Sequence, residues 1–235
     1  MIELDGVGKV YRTGGRVEVP ALHDIDLTIA DGEMVAVVGD SGSGTSTLLN
    51  VLSCLDLPSR GRYRLDGTDV GRLSERRLRR LRGRTVGFVF QSFDLIPDVT
   101  VRRNVELPMI YTRTRKRRAK ARRALERVGL AEHEADMPVE LFEAQRRKVL
   151  IARALINDPS VLLDDEPTGE LDADSAAEVM ELFSQLNGAG RTIVYATHSE
   201  ETAGYAQRIV ELRDGRVVAD RRTGRRRPPP TLRAV

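Results

Sequence analysis

The sequence predicts an α/β fold: a parallel sheet core, an N-terminal antiparallel β-layer and a helical lobe. Three observations predict it. Short apolar runs of strand length (Met34 to Val38, Val86 to Phe90, Val161 to Leu163, Thr192 to Thr197) alternate with stretches of helical periodicity. Before them, Ile2 to Val10 and Ala21 to Ile29 alternate apolar and polar residues as half-buried strands do. Between the first apolar run and a helical one, Leu48 to Leu55, stands Gly39-Asp40-Ser41-Gly42-Ser43-Gly44-Thr45-Ser46-Thr47. Strand, glycine loop and helix in that order are the layout of a phosphate-binding loop.

In chain order, Ile2 to Val10 reads as an edge strand, followed by Tyr11 and a Thr13-Gly14-Gly15 turn. Leu22, Ile25, Leu27 and Ile29 mark the buried side of the second strand, and Asp31-Gly32 its turn. The helix from Thr45 is expected to reach about Leu55, where Pro58 and Gly61 end it. Tyr63 to Leu65 is a short strand with Asp66-Gly67 as its turn, and Ser74 is placed to cap a basic helix carrying Leu78 and Leu81. From Ser92 to Leu155 the texture is helical. Val101 to Leu107 stops at Pro108, and Ala121, Ala124, Leu125 and Val128 share one helix face, with Gly129 closing it. Glu143 to Ile156 is a further helix. Val161 to Leu163 runs into Asp164-Asp165-Glu166-Pro167, and Ser175 to Leu186 is an amphipathic helix stopped by Asn187-Gly188. Thr192 to Thr197 ends at His198, and Arg208 to Ala219 reads as a closing hairpin around Asp214-Gly215. Arg221 to Val235, rich in Arg and Pro, is expected to be a disordered tail.

Composition narrows the function classes. The chain has 235 residues, enough for one large core or a core with a small lobe. No apolar run approaches the roughly 18 residues of a bilayer span, and the acidic N-terminus does not read as a signal peptide. A cytoplasmic domain is expected. The single cysteine, Cys54, excludes an internal disulfide and is expected to pack in the core. Net charge is only +3, yet arginines cluster at 76–84, 113–123 and 221–227. They read as solvated helix faces and a solvated tail, with anionic lipid headgroups as the functional alternative. With 4% aromatic residues and no Trp there are few stacking platforms, so nucleic acid is not the expected partner.

The motifs carry more. The pattern G-x-x-x-x-G-K-[ST] fits at every defined position except Thr45, which stands where the lysine belongs. Gly39, Gly42 and Gly44 let backbone N–H groups close around phosphates, while the helix N-terminus adds its partial positive charge. Ser46 offers a hydroxyl to a Mg²⁺ shell. A magnesium–nucleotide site also needs a carboxylate at a strand end: Asp165 is placed to hold the metal through water and Glu166 to polarise an attacking water. His198, at the end of another strand, is placed to contact a γ-phosphate.

Together these segments resemble the ATP-binding subunit of an ABC transporter over roughly residues 1–220, and most closely the bacterial subgroup serving lipoprotein release and macrolide-type export. Thr85 to Pro97 with Gln91, and Asn104-Val105-Glu106-Leu107-Pro108, resemble that subgroup's Q-loop region. Asp165 to Asp172 resembles the Walker B and D-loop, with Asp172 in the D-loop, and Thr197-His198 the switch histidine. The resemblance implies a P-loop NTPase (RecA-like) core over 1–90 and 156–220, a helical lobe over 91–155 and a tail over 221–235. It implies ATP and Mg²⁺ as ligands, with Ser46, Gln91 and Asp165 at the metal, Glu166, His198 and Gln91 in catalysis, and Tyr11 against the adenine. It also implies an integral membrane permease as partner, a head-to-tail dimer with itself or an intact relative, and a peripheral location on the inner membrane face.

Two departures bear on activity. Thr45 brings no charge to the phosphates. The signature, usually L-S-G-G-Q, reads Leu141-Phe142-Glu143-Ala144-Gln145, losing the serine hydroxyl and both glycines and placing a carboxylate at a helix start. Asp164 is a milder departure at a position that is usually small. The expectation is a nucleotide-binding subunit with weakened hydrolysis; the alternative is a non-hydrolysing structural or regulatory subunit that docks on a permease or on an intact ATPase.

Overall fold

The strand β3 (Met34–Val38) is apolar throughout because both of its faces are covered. Met34 and Ala36 point into one hydrophobic cluster, and Val35 and Val37 into the other. The computed structural model describes residues 1–13, 17–91, 95–110, 114 and 116–225. β3 lies inside a six-stranded sheet of order β10 (Arg216–Arg222), β9 (Arg208–Arg213), β3, β8 (Thr192–Thr197), β7 (Val161–Asp165), β6 (Val86–Val89). All neighbours pair in parallel except β10, the antiparallel arm of the expected hairpin.

A second, antiparallel sheet has the order β2 (Val17–Ile29), β1 (Ile2–Thr13), β4 (Arg60–Leu65), β5 (Thr68–Asp69). β1 was expected at an edge. It is interior instead, because β4, from far along the chain, pairs with its free side. The helix α1 (Thr45–Leu52) shares one core with both sheets, burying Leu48, Leu49, Val51 and Leu52. Each such side chain is worth about 1.5–3 kcal/mol of burial. The other sheet face carries α5 (Glu143–Leu155) and α6 (Ala173–Gly188). α3 (Val101–Glu106), α4 (Arg117–Arg127) and α5 pack on one another, and their core runs on without a break into that sheet face. α2 (Glu75–Thr85) buries only Leu78, and α7 (Glu200–Ala203) is a single turn after β8.

Several boundaries differ from expectation for local reasons. α1 stops at Leu52 because Cys54 turns into the left-handed region, at φ 57°. α6 runs through Asn187-Gly188 rather than stopping there. The buried Asn187 amide donates to Gly32 and Arg191 carbonyls, both at 2.9 Å, and accepts from Gln207 at 3.0 Å. Ser74 precedes α2 as expected, but its side chain makes no capping bond. Arg221 and Arg222, expected in a disordered tail, instead complete β10, and Arg225 lies over the Tyr205 ring at 4.5 Å. Residues 226–235, the Gly14-Gly15 turn, Ser92 to Asp94 and Arg113 lie outside the described residues. Among the described residues, no helix is long and apolar enough to cross a membrane.

Asn104, fully buried in α3, pins the segment before it. Its amide donates to the Ile96 and Val99 carbonyls at 3.0 and 3.1 Å and its oxygen accepts from the Ile96 N–H at 2.7 Å. Asn104→Ala strands these groups and is expected to cost about 1–3 kcal/mol; urea unfolding measures it. Burial pushes the Cys54 thiol up to about 11. Native protein at pH 8 is therefore expected to resist iodoacetamide, and urea-unfolded protein to react.

Candidate functional site

The loop Gly39 to Gly44 joins β3 to α1 at the carboxyl end of the parallel sheet, where the strands of such sheets present ligand sites. Two glycines are fixed by close approach. A Cβ at Gly39 would stand 2.4 Å from Ser43 Oγ and 2.5 Å from the Leu212 carbonyl. Gly44, at φ 102°, leaves no room for a Cβ beside the Ala21 carbonyl at 2.8 Å. The loop is held from the hairpin by a Gly215 N–H donating to Ser43 O at 2.8 Å, and Gly215 O accepts from His23 of β2 at 2.7 Å. Ser43 is buried, and its hydroxyl has no hydrogen-bond partner among the described residues. An unpaired buried hydroxyl in a glycine cradle at a helix N-terminus is what a phosphate site needs. Thr45 and Thr47 are half-buried in the first turn of α1, while Asp40, Ser41 and Ser46 are more open.

Opposite the loop, β7 ends in the acids. Ser46, in the first turn of α1, stands near Asp165 at the end of β7. Burial pushes the Asp165 carboxyl up, the nearby Ser46 hydroxyl pulls it back, and neighbouring Glu166 raises it again. Glu166 is buried and sits at φ 65°. Its Oε1 accepts from Thr197 Oγ1 at 2.7 Å, and its Oε2 faces His198 Nδ1 at 2.8 Å. The Glu166 N–H donates to Ala196 O at 3.0 Å, anchoring this turn to the end of β8. Glu166 and His198, far apart in sequence, thus form one polar pair, with His198 itself 77% exposed. Gln91 is exposed in the turn after β6. The pairing of Val89 with Asp164 puts it at the same carboxyl end of the sheet.

Two residues at this end were not anticipated from sequence in the roles they play. Thr197 buttresses Glu166, as above. Arg147 of α5 turns inward to pair with the fully buried Asp164 and donates from the same Nη2 to the Glu166 carbonyl at 2.9 Å. Burial pushes the Asp164 carboxyl to about 7, Arg147 pulls it down, and the Asp165 charge pushes it up. An acid inside an apolar strand signals that a partner must exist. Nothing in the sequence selects Arg147 among so many arginines.

The signature residues form a separate surface. Leu141 and Ala144 are buried, whereas Phe142 is 80% exposed and Glu143 exposed. Glu143 is the first residue of α5, but the bond that reaches back at this terminus is made by Gln145, whose Oε1 accepts from the Phe142 N–H at 2.9 Å. The amide of Gln145 also meets His133 Nε2 at 3.2 Å. Tyr11 lies beside α1. Its hydroxyl donates to Asp56 at 2.6 Å, and Lys9 Nζ stands over one ring face at 4.9 Å. Asp172 caps α6, accepting from the Ser175 N–H at 2.8 Å, and that bond holds its carboxyl below its usual range.

Comparison with known proteins follows the same lines. A family model described as "ABC transporter" matches residues 22–169. The macrolide export ATP-binding/permease protein MacB 1/2 of Paracoccus denitrificans is 50% identical over 226 residues, covering 95% of this chain and 34% of that protein. The chain therefore spans about a third of that relative's length. An uncharacterized ABC transporter ATP-binding protein of Bacillus subtilis, YknY, is 47% identical over 220 residues, covering 93% of this chain and 95% of that protein. Among solved structures, a dimeric ATP-binding cassette in a post-hydrolysis state bound to ADP and Pi superposes with a TM-score of 0.85 at 37% identity. The match covers 96% of this chain and 100% of that one. Cassettes of this family bind ATP with Mg²⁺, and the cradle, Ser46 and Asp165 fit both. The chain belongs to the ABC transporter family and carries its ATP-binding cassette.

Proposed function

We propose that this chain is the nucleotide-binding subunit of an export or lipoprotein-release type ABC transporter, coupling Mg-ATP to a membrane permease, with hydrolysis weakened by Thr45 and by Phe142-Glu143-Ala144. The observation that carries the reading is the pairing of Glu166 with Thr197 and His198 at the strand end that also carries Asp165. Backbone N–H groups of Gly39 to Thr47 and the Ser43 hydroxyl hold the phosphates. Ser46, Gln91 and Asp165 hold the metal, which when bound neutralises phosphate charge. Glu166 accepts a proton from the attacking water, and His198 is exposed enough to swing from Glu166 toward the γ-phosphate. Tyr11 offers the ring face away from Lys9 to the adenine.

Weak turnover follows from two sites. Thr45 replaces a charge-assisted contact worth about 1.5–3 kcal/mol with a neutral one. In a head-to-tail dimer Phe142 and Glu143 face the partner's nucleotide. A carboxylate at about 5 Å from a phosphate charge, at an effective dielectric of about 20, repels it by about 3 kcal/mol. A homodimer carries both changes at both sites; a heterodimer with an intact relative carries one at each. The subunit is cytoplasmic and peripheral to the membrane. A groove of about 640 Å³ beside β6, lined by Phe88, Leu107 and Pro108 together with Arg79, Arg82 and Arg153, suits an apolar permease segment bearing acidic groups. The second reading, a non-hydrolysing regulatory subunit, is favoured by the exposed Phe142 where a hydroxyl would meet nucleotide.

Turnover and binding separate these readings. Thr45→Lys combined with Phe142→Ser, Glu143→Gly and Ala144→Gly is expected to raise kcat on the order of 10²-fold or more; an unmodified protein as fast as the restored one refutes the impairment. Glu166→Gln in the restored protein is expected to abolish turnover while Mg-ATP still raises the melting temperature. Absence of any such rise in either protein refutes nucleotide binding.

A further inference from the structure

Arg147 sits one turn into α5, five residues beyond Phe142, and is only 10% exposed. Its guanidinium does not meet Asp164 in the two-pronged way that arginine and carboxylate prefer. One nitrogen, Nη2, serves both the Asp164 carboxylate and the backbone carbonyl of Glu166, the latter at 2.9 Å. In consequence Arg147 Nε and Asp164 Oδ2 are left buried without hydrogen-bond partners among the described residues. A buried pair with two unpaired polar atoms is poorly explained as a stabilising device, since well-packed apolar residues of like volume usually do as well or better. What this arrangement gains is reach: full pairing with Asp164 is given up, and the guanidinium grips the peptide of Glu166.

That peptide needs holding. Glu166 occupies the left-handed region at φ 65°, which a side chain other than glycine rarely adopts. The bonds on its backbone are its N–H to Ala196 O, the Gly169 N–H to its carbonyl at 3.3 Å, and the shorter one from Arg147. The φ of this residue sets the direction in which its carboxylate leaves the backbone toward Thr197 and His198. We propose that Arg147 is a positioning residue for Glu166, with buried Asp164 as its anchor, so that the first turn of α5 is mechanically tied to the carboxylate that activates water. The inference rests on the proposed role of Glu166. Because α5 opens with the signature surface, a shift of that helix pulls on the Glu166 peptide of the same chain.

The test uses the full chain carrying the restored phosphate loop and signature, so that turnover is measurable. Arg147→Met alone leaves Asp164 buried and unpaired and is expected to melt lower than its parent. Arg147→Met with Asp164→Leu replaces the pair by apolar side chains and is expected to melt within a few degrees of the parent. The double variant is expected to keep KM for ATP within about twofold while kcat falls at least tenfold. Amide hydrogen exchange of the segment 164–169 is expected to speed up at least tenfold. Arg147→Lys, which keeps a charge beside Asp164 but has no fork, is expected to fall between the two in kcat. A folded double variant with parental kcat and parental exchange overturns the proposal. If Glu166→Gln leaves turnover intact, the role given to Glu166 fails instead, and the exchange rates still decide whether Arg147 fixes its backbone.

Discussion

The site depends on the parallel pairing of β3, β8 and β7. Val38 lies opposite Thr197 and Asp165 opposite Ala196, so the three strands end at one level. That register brings the phosphate loop, Asp165-Glu166 and Thr197-His198 to one rim, although they come from three distant parts of the chain. Parallel strands buried on both faces resist slippage, because a shift by one residue would exchange the two faces of every strand. β3 illustrates this: Met34 and Ala36 would trade cores with Val35 and Val37.

The antiparallel sheet matters to chemistry through the loop it braces. Ala21 crowds Gly44, and the β9–β10 turn, held by His23 of β2, carries the bond to Ser43. The conformation of the glycine loop is therefore fixed by three chain segments and not by its own sequence alone. The same sheet brings Tyr11 to α1. Its hydroxyl is tied to Asp56, and burial followed by that carboxylate raises its pKa.

At the carboxyl end of β7, polar groups have been buried where apolar ones would pack more simply. Asp164, Arg147 and Glu166 form one connected set, as do Asn187, Gly32 and Gln207 across the sheet. Such sets cost desolvation and return definition, because only one arrangement satisfies them. The Asn187 set is well satisfied and closes the far end of the sheet. The Arg147 set is not, and it lies next to the carboxylate that the proposed chemistry uses.

By itself the sequence determined the α/β class, the loop at Gly39 to Thr47, the strand-end acids and the strand-end His198, because these depend on local spacing: period-two or continuous apolar runs, glycine at fixed offsets, acids directly after a strand. It also exposed Thr45 and the altered signature as departures. Only the tertiary structure decided what meets what. β1 became interior because β4 returns to it, Glu166 acquired Thr197 and His198, and Gln145 rather than Glu143 closed the start of α5. Asp164 read from the sequence only as a departure at a usually small position; its burial and the choice of Arg147 as its partner lie in how α5 packs over the end of β7. The physical reason is range: spacing along a chain reports neighbours within a turn or a strand, whereas buried polar partners are set by packing between segments that the sequence keeps far apart.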